Sequence, residues 1–173
     1  MPALHQVRDP SHKIELQPSL DAARRVLIVI DSAPAAETMR NWLESPGAVL
    51  DAEAVILLAT VPRPDLIRTR GILIGRTRRH LRDTGRSRLA PLQSILDRAG
   101  IAHEDRVVLA EDAGSVIRVA QETRCGLIVM AAALPTPARR RWISATGLSI
   151  PSGAAQVAEL AECPVLVLKH GCH

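Results

Sequence analysis

The chain contains no tyrosine and no phenylalanine, and its tryptophans are Trp42 and Trp142 alone. A core therefore has to be assembled from alanine, leucine, isoleucine and valine. A base-stacking surface for nucleic acid lacks its main element. Cysteine is scarce too, at Cys125, Cys163 and Cys172. An odd count at wide spacing argues against a disulfide framework. Cys125 and Cys163 flank apolar runs and read as buried small hydrophobes. No apolar run approaches the roughly 20 residues of a membrane-spanning helix. The N-terminus carries Arg8, Asp9, His12 and Lys13 and no hydrophobic signal region, so a cytoplasmic location is expected. Nucleophile elbows, phosphate-binding Gly-x4-Gly-Lys loops, His-Glu-x-x-His zinc motifs and Cys-x-x-Cys pairs are all missing, and no catalytic set is read.

What is present is a folding sequence. Hydrophobic residues make up 47% of 173 positions, enough for one domain with its own core. The formal net charge is +4. The basic residues are almost all arginine, with lysine only at Lys13 and Lys169. Nine arginines crowd the stretch from Arg63 to Arg88. Arginine suits planar, bidentate contact with phosphate or carboxylate, although the same bias follows from genomic base composition.

Residues 1–23 show no period and are punctuated by Pro2, Pro10 and Pro18, which reads as a mobile extension. Residues 24–170 form the domain, and 171–173 a short tail. Five apolar runs read as strands: Arg25–Ile30, Ala54–Ala59, Arg106–Ala110, Gly126–Ala131 and Cys163–Leu168. Continuous apolar runs suggest strands buried on both faces. Between them lie helical patterns: one after Asp31-Ser-Ala-Pro34, a long one from about Arg76 to Ala99, one opened by Glu111-Asp112, and Pro151–Ala161. Ile72–Ile74 is ambiguous between strand and helix. Gly85 and Pro91 suggest a kink, and Gly100 a helix cap.

This order resembles the universal stress protein family over roughly residues 24 to 170. Arg25-Val-Leu-Ile-Val-Ile-Asp31 looks like the family's first strand with its terminal aspartate. Ala54 to Thr60 looks like its second strand, Asp112 to Met130 its third helix and fourth strand, and Pro151 to Leu168 its Cys-Pro-Val-Leu ending. The resemblance implies an α/β, flavodoxin-like (Rossmann-like) fold of the bacterial type: a five-stranded parallel sheet in the order 3-2-1-4-5 with helices on both faces. It also implies pairing of the last strand, Val165, Leu166, Val167 and Leu168, with its copy in a homodimer.

ATP-binding members of the family carry Gly-x-x-Gly-x9-Gly-Ser/Thr after the fourth strand, where bare backbone N–H groups meet phosphate. Here Ala131 and Leu134 occupy the glycine positions, and Pro151-Ser152 aligns with the Gly-Ser pair. Pro151 has no N–H to donate. The expected role is therefore non-catalytic, in stress response or regulation, with no required cofactor and with ATP or AMP bound at low affinity or not at all. An adenine-nucleotide binder or slow ATPase would use Asp31, Ser152 and the Arg139–Arg141 loop, with Thr60, Met130, Ala131 and Gly153 as further nucleotide contacts. The cap reading is favoured for both ends of that set: Asp31 as a helix N-cap, and Ser152 as a cap of the last helix. The loop residues Arg139, Arg140, Arg141 and Trp142 would contact an anion or an acidic protein, or be a solvated loop. The Arg68–Arg88 face would serve an acidic partner or nucleic acid, with the solvated face favoured and nucleic acid disfavoured. His170, Cys172 and His173 read as a frayed tail and not as a metal site.

Overall fold

A computed structural model describes residues 24–46, 50, 52–61, 74–109, 112–132 and 153–169. These residues form β1 (Arg25–Ile30), α1 (Ala33–Leu43), β2 (Ala54–Thr60), α2 (Ile74–Ala99), β3 (Ala102–Val108), α3 (Ala113–Thr123), β4 (Leu127–Ala131), α4 (Gly153–Leu160) and β5 (Val165–Leu168). The sheet is parallel and ordered β3-β2-β1-β4-β5, as the resemblance implied.

Side chains alternate across a strand, and here both faces are apolar. Val26, Ile28 and Ile30 pack with Met39 of α1 and with Leu89, Leu92 and Leu96 of α2. Leu27 and Val29 face the other way, onto Val116, Val119 and Ala120 of α3 and onto Ala154 and Val157 of α4. Register holds these layers together: Ile28 lies between Leu57 and Val129.

Two edge strands depart from the apolar-run rule. β3 starts at Ala102 and ends at Val108, four residues earlier at its start than the run Arg106–Ala110 suggested. His103, Glu104 and Asp105 pair with Val55, Ile56 and Leu57 through backbone alone. At a sheet edge, Glu104 and Asp105 keep their carboxylates in water, so no apolar pattern is needed. β5 is not buried on both faces: Leu166 is 40% exposed and Val167 38%.

The helix ends are set by local hydrogen bonds. The N-cap of α1 is Ser32, whose Oγ accepts from Ala35 N at 3.3 Å, and Pro34 sits in the first turn. The cap falls one residue later than Asp31, which directly follows β1 and whose carboxylate accepts from the Ser32 hydroxyl at 2.8 Å. α2 begins at Ile74 and runs through Gly85 and Pro91 as one helix. Ser87 and Pro91 lie on its exposed side, where the Ser87 carbonyl left without an N–H donor can turn to water. Gly85 is where α2 meets β3: a Cβ there would lie 2.6 Å from Val107 Cγ1. Gly100, at φ +67°, ends the helix, with its N–H on Asp97 O and that of Ile101 on Leu96 O. α3 ends in the same way, except that Arg124 takes the left-handed position at φ +51°. α4 is shorter than the Pro151–Ala161 pattern. Pro151 and Ser152 lie outside the described residues, and Ala161 follows the helix with its N–H still on Val157 O.

Candidate functional site

The sheet changes winding direction between β1 and β4, and ligands of such sheets bind at the carboxyl ends of the strands there. Asp31 leaves β1 at that edge, Thr60 ends β2, and Met130 lies near the end of β4. Gly153 opens α4 above them. These four candidates line one cavity of about 40 Å³, together with Val29, Asp112, Ala113, Val116 and Val157. Thr60 and Met130 are nearly fully buried, whereas Asp31 is half-buried and Gly153 exposed.

Ala131 does not line the cavity. It is buried at the end of β4, and the following N–H, of Ala132, is donated to Leu168 O at 2.7 Å. That donor is committed to the sheet where a phosphate loop would need it free. Ser152, Arg139, Arg140, Arg141 and Trp142 lie outside the described residues, as do Arg68, His170, Cys172 and His173.

Asp112 is the residue that sequence reasoning overlooked as part of the site. It was visible as a helix opener, and it is the N-cap of α3: its Oδ1 accepts from Ser115 N at 2.6 Å. Hydrogen bonding from the Ser115 side chain, and then from its backbone N–H, holds the Asp112 carboxyl below its ordinary pKa. The available signal was topological. A cap after the third strand of this order faces the same crevice as the end of β1.

The cavity thus has two carboxylates, Asp31 and Asp112, and no basic side chain among the described residues that line it. Arg88 is nearby, but its guanidinium donates to the Asp31 backbone carbonyl at 3.1 Å, from the α2 side. The described part of this lining accepts hydrogen-bond donors, and its two carboxylates disfavour a bare phosphate. No nucleophile–imidazole pair lies among the described residues that line it. Among the described residues no group of three His, Cys, Asp or Glu could hold a metal ion, and no helix is long and apolar enough to cross a membrane.

Comparison with known proteins gives the same architecture. The hypothetical protein MJ0577 superposes with a TM-score of 0.64 at 19% identity, over 88% of this chain and 99% of that one. A universal stress protein family member from Burkholderia pseudomallei gives 0.56 at 24% identity, over 85% and 96%. A family protein from Arabidopsis thaliana, solved with AMP bound, gives 0.54 at 13% identity, over 86% and 92%. No curated protein matches the sequence. The universal stress protein family model matches residues 22–169, and with the topology described above this chain belongs to that family.

Proposed function

We propose that this is a non-catalytic regulatory protein of stress response, in which the crevice keeps the nucleoside half of an adenine-nucleotide site and has lost the phosphate half. The observation that carries the reading is the composition of the cavity: Asp31, Thr60, Met130 and Gly153 come together beside a second carboxylate, with no cation among the described residues that line it. The AMP held by the Arabidopsis thaliana relative supports the ligand class. The Ala132 N–H on Leu168 O, and the Ala131, Leu134 and Pro151 substitutions, speak against a polyphosphate grip. Each lost charge-assisted hydrogen bond weakens binding by about 1.5–3 kcal/mol, so two move a micromolar ligand towards millimolar. The protein acts as a homodimer joined through β5, whose exposed Leu166 and Val167 form an apolar edge that calls for a cover.

Calorimetry with adenosine, AMP and ATP tests the proposal. Adenosine and AMP should bind at least as tightly as ATP, all of them weakly. A micromolar dissociation constant for ATP would overturn it.

A further inference from the structure

A second concavity lies at the opposite end of the sheet, at the amino-terminal ends of β4 and β5. It is a groove of about 680 Å³ between the last turns of α3 and the turn that joins α4 to β5. Its floor is apolar: Ile117, Ala120, Cys125, Ile128 and Cys163. Burial pushes both thiols up in pKa, so they are neutral at physiological pH and add no charge. Thr123 spends its hydroxyl on Val119 O and Cys125 Sγ. Among the described lining residues, polar side chains occur only at the rim, as Gln121 and Arg124 on one lip and Glu162 on the other. Pockets of this size and lining suit a small, largely apolar ligand.

Arg124 supplies an independent observation. It holds a left-handed backbone conformation that costs an L-residue about 1–2 kcal/mol and that glycine adopts freely. Its guanidinium makes no ion pair or hydrogen bond among the described residues, and it is exposed at the groove mouth. We propose that this groove binds a fatty-acid-like carboxylate, with its carboxyl group on Arg124 and its alkyl chain along the floor. Glu162 repels a carboxylate from the far lip and so sets the orientation. The groove shares α3 with the crevice: Asp112 caps one end of that helix and Arg124 the other, about 18 Å apart at 1.5 Å per residue.

The test uses the full chain and octanoate, decanoate and dodecanoate below their micellar concentrations. Calorimetry should show affinity rising on the order of tenfold with each added pair of methylenes. Dodecanoate should slow maleimide labelling of Cys163 several-fold, read peptide by peptide by mass spectrometry. R124G relieves the backbone strain and so folds. It should weaken dodecanoate about tenfold or more and leave 1-decanol unchanged, while R124K should retain most of the carboxylate binding. Affinity independent of chain length, an unchanged Cys163 labelling rate, or wild-type dodecanoate binding by R124G would each overturn the proposal.

Discussion

The Arg88 guanidinium donates to the backbone carbonyl of Asp31, tying the middle of α2 to the carboxyl end of β1. These residues are 57 positions apart, and the contact anchors the strand end that carries a site carboxylate. R88A should lower stability by about 1 kcal/mol, since the bond is half-buried and water can replace the donor. Urea unfolding followed by circular dichroism would check this. Unchanged stability would show that α1 alone holds the strand end.

G85A should destabilise the protein although alanine is the better helix former. The propensity gain is about 1 kcal/mol. Against it stands a Cβ placed 2.6 Å from Val107 Cγ1 and 3.2 Å from Val61 Cγ2. Overpacking of this kind costs about 1–3 kcal/mol, so the net effect should be a lower denaturation midpoint. A raised midpoint would mean that β3, an edge strand, yields to α2.

Asp112 should contribute to the acid limb of stability. Its folded pKa is depressed below 3.8. Its contribution is therefore complete above the unfolded value and is lost as pH falls through the folded one. D112N keeps an N-cap acceptor but cannot titrate. Its melting temperature should fall less than that of wild type between about pH 5 and pH 3. Parallel pH profiles for the two proteins would remove Asp112 from the account.

L166K should dissociate the proposed dimer. Leu166 is 40% exposed on an edge strand, and lysine is a common guard of such edges. Light scattering at micromolar concentration should give a dimer for wild type and a monomer for the variant. A monomeric wild type would dismiss β5 as an interface.

The layered α/β order was legible from local pattern. Buried parallel strands such as β1, β2 and β4 need apolar side chains on both faces, and that demand is written in consecutive residues. Helix ends such as Gly100 were equally legible, because a left-handed cap is a local requirement. The edge strands were less so: β3 pairs through backbone, and Glu104 and Asp105 satisfy water there as well as any apolar residue would. Tertiary structure alone decided that Gly85 is a point of contact between α2 and Val107 of β3, and that Asp112 and Asp31 line one cavity. It also placed Cys125 and Cys163 in one groove beside Arg124. Each of these depends on elements far apart in the chain, whose approach is set by the packing of helices on the sheet and not by any local pattern.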